Sequence, residues 1–310
     1  MNGPRIRVSA VLALLALPVM TFDARAAATA ERPRIVSLAP HLTELVYAAG
    51  GGDTLVGTVE FSDFPEAARA LPRVGDAWRV DLERLLALHP DVVLTWTSGT
   101  PPDIVARLDA LHLHRVDIPT FRLADIPVAL RTLGELTGTP AIARAAADSF
   151  STQIAALRDQ YAHAAPVTVF IQLDDQPLFT VNSRHIISEI VELCGGRNIF
   201  AALPQLAPSI SVEAVVAADP QVILSTDDTI ADPAAQWQSW QRLTSVRART
   251  IYPIHADTVA RSTPRLVQGT RETCETSPMP GGVLRSAEAD QDLRPALLRS
   301  CRQSTSLPCS

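Results

Sequence analysis

Several residue groupings in this chain have types and spacings that chemistry uses, and each carries its own geometric condition. Asp174-Asp175 and Asp227-Asp228 are paired carboxylates of the kind that hold and release a substrate proton. Adjacent residues on a strand point to opposite faces, so neither pair is expected to share one. His112 and His114 would lie on one strand face and offer two imidazoles to a metal ion, but no carboxylate cluster completes such a site. Thr97-Ser98-Gly99 supplies a hydroxyl without the flanking glycine of a nucleophile elbow. None of the 4 cysteines stands in a Cys-x-x-Cys pair, which argues against a zinc knuckle or a thioredoxin-like site. All 27 basic residues are Arg. With no lysine, a Walker-type phosphate loop, a Schiff-base lysine and a lysine general base are all excluded. What remains is a set of rings. Phe61 follows an expected strand over Thr54–Thr58, and Trp96 follows one over Val92–Thr95. Rings at strand ends can wall a cleft and pack a large flat ligand at little entropic cost.

The elements that must carry these rings announce themselves in a repeat. Val80-Asp81-Leu82-Glu83, continuing through His89-Pro90 to Val92-Val93-Leu94-Thr95, returns as Ile210-Ser211-Val212-Glu213, then Asp219-Pro220 and Val222-Ile223-Leu224-Ser225. The offset is 130 residues throughout, without a gap. In each copy Asp81 or Ser211 caps a helix of about two turns, the proline ends it, and a β-branched run makes a buried strand. Two such units in register predict a duplicated lobe. Further strands are expected at Arg34–Leu38, His114–Asp117, Val167–Leu173 and Thr250–Pro253. Helices are expected from near Leu42 and, as an amphipathic one, over Ser188–Cys194. From Pro140 to Ala165 the chain is Ala-rich without internal Gly or Pro, and Ile142, Ala146, Phe150, Ile154, Leu157 and Tyr161 fall on one stripe. That predicts a single helix of roughly 35–40 Å, long enough to bridge two lobes and stiff enough to limit their closure. The expected fold is α/β: two Rossmann-like lobes with mainly parallel sheets joined by one long linker helix. The lobes are placed at 32–138 and 166–275, with the interlobe helix at 139–165.

The ends of the chain read differently. Arg5 and Arg7 precede an apolar run from Val8 to Met20, followed by Ala24-Arg25-Ala26, the pattern of a secretory signal peptide over 1–26. The run of 13 residues is too short to cross a bilayer, which takes roughly 20. No cysteine near the cleavage site suggests a lipoprotein. Removing 1–26 takes away three Arg and one Asp and moves the net charge from −6 to −8, which disfavours nucleic acid or an anionic membrane as partner. The segment 276–310, rich in Ser, Pro and Arg, has no helical period and is expected to be disordered.

Arg34-Ile35-Val36-Ser37-Leu38-Ala39-Pro40, Thr43-Glu44-Leu45, Ala49-Gly50, Phe61-Ser62-Asp63-Phe64-Pro65, Val74-Gly75, Leu82-Glu83 and Cys194-Gly195-Gly196-x-Asn198-Ile199-Phe200 together resemble the helical-backbone periplasmic substrate-binding proteins of ABC importers. The likeness runs over about residues 32–275 and is nearest to the cobalamin-binding branch. It implies a periplasmic, monomeric carrier without cofactor, catalytic or metal-site residues, whose transported ligand is cobalamin or a related corrinoid. Phe61 and Trp96 match aromatic positions of the cobalamin cleft, and Asp257 and Arg261 match its polar rim. Leu173 stands where an aromatic is common, Trp78 one place after the expected aromatic at Ala77, and Ala207 where a Trp is frequent. Glu83 and Glu213 match the acidic residues that dock on a dimeric ABC permease. Each also stands in the first turn of a short helix, where the macrodipole favours negative charge. Cys194 and Cys274 match a pair that relatives bridge. A ferric-siderophore or haem carrier of the same fold remains the alternative, and a secreted hydrolase a more distant one.

Overall fold

The computed structural model describes residues 32–76, 78–226 and 232–276. The expected signal peptide, the tail beyond Thr276 with Cys301 and Cys309, the Asp227-Asp228 pair and Ala77 lie outside the described residues.

In the N-terminal lobe, β1 (Ile35–Ser37), β2 (Leu55–Gly57), β3 (Val92–Trp96) and β4 (Arg115–Ile118) form a parallel sheet in the order β2-β1-β3-β4. Around it lie α1 (Pro40–Ala48), α2 (Leu82–Ala87), α3 (Pro102–Ala110) and α4 (Asp125–Thr137). After the long α5 (Pro140–Tyr161), the C-terminal lobe begins with β5 (Val167–Gln172) and the small antiparallel pair β6 (Asp174–Asp175) and β7 (Leu178–Phe179). Then come α6 (Ile186–Leu193), β8 (Gly196–Asn198), α7 (Val212–Ala218) and β9 (Val222–Thr226). Next in the chain are α8 (Pro233–Trp237), α9 (Thr244–Ala248), β10 (Ile251–Ile254), α10 (Ala256–Val259) and α11 (Leu266–Thr276). The second parallel sheet runs β10-β9-β5-β8.

The repeat is realised in the starts of its helices and strands. α2 and α7 begin 130 residues apart, as do β3 and β9. The Asp81 and Ser211 side chains accept the backbone N–H of Arg84 and Ala214, the expected caps. Both helices stop two or three residues ahead of their prolines, at Ala87 and Ala218.

Period-two alternation divides the apolar side chains between the faces of each sheet. Ile35, Val92, Leu94, Val169, Ile171, Val222 and Leu224 point into one core that passes through α5 and includes both lobes. Val36 and Val93 serve a second core behind the first sheet, and Phe170 and Ile223 a third behind the other. The lobes are thus joined by a shared apolar core as well as by a helix, and the described residues, Arg32 to Thr276, belong to one compact unit.

Expectations for three helices are corrected. α1 starts at Pro40, not near Leu42, because proline suits the first helical position, where its missing N–H is not needed. α5 ends at Tyr161 rather than Ala165, a length of about 33 Å. Its buried stripe also begins with Ala143 and Ala147 in place of Ile142 and Ala146. The rotation has a cause: Gly134 of α4 faces Ala143, so small residues let the two helices approach closely. α6 starts two residues early, at Ile186, and is amphipathic as expected, with Glu189 and Glu192 on one face and the remaining side chains buried.

Candidate functional site

With every strand of each four-stranded sheet parallel, the turns that follow them collect at one edge, and there the lobes face each other. The Ser262 hydroxyl, beyond β10, donates to the Thr120 carbonyl, beyond β4, at 2.9 Å. Arg122 pairs with Glu189 in the first turn of α6 at 3.2 Å, and the Leu123 N–H donates to the same carboxylate at 2.9 Å.

Phe61 lies on the long connection from β2 to α2. It adopts φ 63° and is 74% exposed. The left-handed region costs a non-glycine residue about 1–2 kcal/mol, so the backbone beneath it must be held. A chain of fully buried hydroxyls does so: Thr43 donates to Ser37 at 3.0 Å and lies 2.6 Å from Thr58, which donates to Ser62 at 2.8 Å. Trp78, 70% exposed, stands on a second bend of the same connection. There Asp76 Oδ1 accepts the N–H groups of Trp78 and Arg79, and the Glu60 N–H donates to the Gly75 carbonyl. Gly75, at φ 121°, is obligatory, since a Cβ would fall 2.0 Å from the Arg79 carbonyl oxygen.

Trp96 closes β3, half-buried, its ring edge-on to His41 with centroids 5.0 Å apart. The indole lies over Gly99, where a Cβ would come within 1.8 Å of the ring. The glycine of Thr97-Ser98-Gly99 thus makes room for a tryptophan. The Trp96 Nε1–H is buried without a hydrogen-bond partner, which costs about 1–3 kcal/mol. Leu173, just past β5, is half-buried against the shared core. Among the described residues, no two of Phe61, Trp78 and Trp96 stack on one another.

Asp257 and Arg261 do meet, at 2.9 Å. The guanidinium is already engaged across the lobes: it reaches Asp63 at 2.8 Å and Glu44 at 3.1 Å. Arg265 takes the same Glu44 oxygen at 3.3 Å and lies 4.5 Å over the Phe64 ring. Glu44 is the buried centre of this network, and burial outweighs its two arginines to raise its carboxyl above the usual range. The more exposed Asp63 is pulled below it by Arg261 despite partial burial.

Glu44, Asp63 and Phe64 stand within the family-like motifs, where the sequence alone assigns them no role. His41, Arg122, Glu189 and Arg265 carry no local signal of a role. The missing signal is long-range: Glu44 and Arg261 stand 217 positions apart. His112 and His114 do not share a strand; His112 lies in a turn at φ 54° and His114 just ahead of β4. Among the described residues no group of three or more His, Cys, Asp or Glu could hold a metal ion. A groove of about 630 Å³ between α5 and α11 includes none of the residues expected to bind ligand.

Burial lowers the pKa of His41 to about 3, helped by the charge on Arg261, and that of His185 to about 4. The His185 Nδ1 must stay unprotonated to accept the Ile187 N–H. Both are neutral when folded but charge near pH 6.5 when unfolded. Their contribution is therefore fully present above about pH 6.5 and is lost as pH falls toward 4. At pH 5 each costs about 2 kcal/mol. Glu44 works the other way, its raised pKa favouring the folded state at low pH. The expected net result is a clear fall in unfolding free energy between pH 7 and 5 in denaturant titrations. His41→Gln should flatten it, and an equal fall in that variant would contradict the assignment.

Glu83 and Glu213 are both exposed in the first turns of α2 and α7. Hydrogen bonds from the Glu213 backbone and Ser211 hold the Glu213 carboxyl below its usual range. α2 ends where Arg34, just ahead of β1, donates to the Leu88 and His89 carbonyls. Its first turn therefore lies at the opposite edge, the one where the strands end. α7 likewise begins beside β7, where the Ile210 N–H donates to the Leu178 carbonyl.

Comparison with known proteins gives this arrangement a context. The periplasmic binding protein family matches residues 35–258. A vitamin B12-binding protein of Vibrio cholerae is 37% identical over 242 residues, which is 78% of this chain and 87% of that protein. One from Pectobacterium atrosepticum is 38% identical over 255 residues, covering 80% and 89%. The crystal structure of the periplasmic vitamin B12-binding protein BtuF of Vibrio cholerae superposes with a TM-score of 0.73 at 35% identity, covering 78% of this chain and 95% of that one. The apo haem-binding protein RhuT from Roseiflexus, at 23% identity and a TM-score of 0.70, shares the fold.

Proposed function

From the premise that this chain belongs to the periplasmic binding protein family, we propose that it captures cobalamin or a related corrinoid between its lobes and delivers it to an ABC import permease. It is a carrier and not a catalyst, as its B12-binding relatives are. The observation that carries the ligand reading is Phe61, a large ring kept exposed on a strained backbone by a dedicated hydroxyl chain. Such a feature has no use in packing and an obvious one in gripping a flat macrocycle. Trp96 and Trp78 supply further aromatic surface on the same lobe, and Leu173 a small apolar contact across the cleft. Asp257 and Arg261 then present a carboxylate and a guanidinium to the amide side chains of the corrin. Glu83 and Glu213 are the permease contacts in this reading, the carrier works in the periplasm as a monomer, and cobalamin is cargo rather than cofactor.

The test is a tryptophan-fluorescence titration with cobalamin, haem and a ferric siderophore in parallel. Cobalamin is expected to bind at micromolar affinity or tighter and to quench Trp96. Tight binding of an iron chelate with no response to cobalamin would sink the reading. Phe61→Ala and Trp96→Ala should each weaken binding by about 1–3 kcal/mol, according to how much ring the ligand covers. Phe61→Gly separates two effects: it should raise folding stability by about 1 kcal/mol through relief of the left-handed backbone, while weakening cobalamin as Phe61→Ala does. A Phe61→Gly protein that binds normally would show that the ring is idle.

A further inference from the structure

Glu44 is the least exposed charged group between the lobes, and nothing in the ligand reading uses it. Its side chain is 2% exposed, on the inner face of α1 in the N-terminal lobe. Both of its cationic partners, Arg261 and Arg265, come from the C-terminal lobe and meet the single oxygen Oε1, while Oε2 is buried with no hydrogen-bond partner. A buried carboxylate is an expensive arrangement, and the groups that offset its charge, the two arginines together with the Thr263 hydroxyl, all come from the C-terminal lobe. The two arginines do different things from this anchor. Arg261 also spans Asp63 and Asp257, one from each lobe, and Arg265 lies over the Phe64 ring three residues from Phe61.

We infer that Glu44 is a positioning residue for the cleft. From inside one lobe it holds two arginines of the other, fixing the interlobe angle and the place of the rim guanidinium beside the aromatic connection. This rests on the reading of the cleft as the cobalamin site. The shared apolar core limits how far the lobes can part, and the Glu44 anchor sets where within that range they stand. A ligand then meets a rim arginine already oriented, with less ordering to do on binding.

Glu44→Gln tests this, because it keeps the shape and one acceptor and removes the charge. Two measurements are needed. In ligand-free protein, hydrogen exchange at the Leu123 amide, whose acceptor Glu189 belongs to the other lobe, should quicken in Glu44→Gln while amides of β3 and β9 keep their rates. In titrations, Glu44→Gln should weaken cobalamin about tenfold, and adding it to Arg261→Gln should cost little more than Arg261→Gln alone, since both break one unit. A generally loosened fold would speed the sheet amides as well and make the two substitutions additive; either result overturns the inference. So does a Glu44→Gln protein with unchanged exchange at Leu123. If the wild-type chain fails to bind cobalamin, the ligand reading fails, and the exchange comparison still decides the role of Glu44.

Discussion

Replacing Cys194 and Cys274 together by Ala is expected to remove about 4.5 kcal/mol of stability, as the entropy of closing an 80-residue loop implies. That is a large part of what a domain has, and for a chain of this size it corresponds to a fall in melting temperature on the order of 10 °C. The bridge ties the C-cap of α6 to α11, both cysteines fully buried. α11 packs against α5, α6 and β10, so the staple also anchors the lobe's last helix. Arg261 and Arg265 lie in the turn and first residue just ahead of that helix, and loosening it frees the guanidiniums that Glu44 holds. Binding should therefore weaken before global unfolding is complete. Thermal unfolding of the mature chain, oxidised, reduced and as the double Ala variant, checks this. Reduced and variant proteins should agree, and a melting temperature within about 2 °C of the oxidised protein would sink the claim.

That bridge was legible only through resemblance; four cysteines alone leave three pairings open. The fold was legible on firmer ground. Strand positions came from β-branched runs, and the lobe duplication from two capped helices at one offset, because capping and buried-strand patterns are local. Boundaries drifted by one to four residues where a local signal misled, as at Pro40, which starts α1, and beyond Tyr161, where absence of a breaker suggested more helix than tertiary packing supports. The α5 stripe shows the limit well. Its periodicity favoured Ile142, but the close approach of Gly134 selected Ala143, a fact about α4 that a single-helix pattern cannot contain. The site divides along the same line. Phe61 and Trp96 could be found from their places after strands, whereas the Glu44 network depends on residues brought together by the fold. Arg261, expected on the polar rim with Asp257, also pairs with Glu44 and Asp63 of the other lobe.

Glu83→Ala with Glu213→Ala is expected to abolish most uptake through the cognate permease while leaving ligand affinity within a few tenths of a kcal/mol of wild type, the usual range for an exposed charge. The two glutamates hold equivalent places in the duplicated lobes, and both face outward from the first turn of a capped helix. The structure adds a point that the repeat alone did not contain. Each of those turns lies at the edge where the parallel strands end, which is also the edge where the lobes confront each other and Phe61 is exposed. The pair therefore flanks the mouth of the proposed cleft. A permease dimer with one basic pocket per subunit would engage both at once and find itself opposite that mouth. Docking then does two jobs: the second contact forms at high effective concentration, and the ligand's exit points at the translocation path. Loss of one glutamate should leave weak, salt-sensitive docking, because the remaining exposed pair gains little by itself and is screened within about 10 Å at ordinary ionic strength. Loss of both should remove the bivalent gain altogether. Folding should hardly change, since each residue gives up only a favourable place near a helix N-terminus. The measurement is paired, with cobalamin titration of the purified double variant and uptake by vesicles carrying the permease. Normal uptake would end the docking role, and lost cobalamin binding would place these carboxylates in the pocket instead of on its rim.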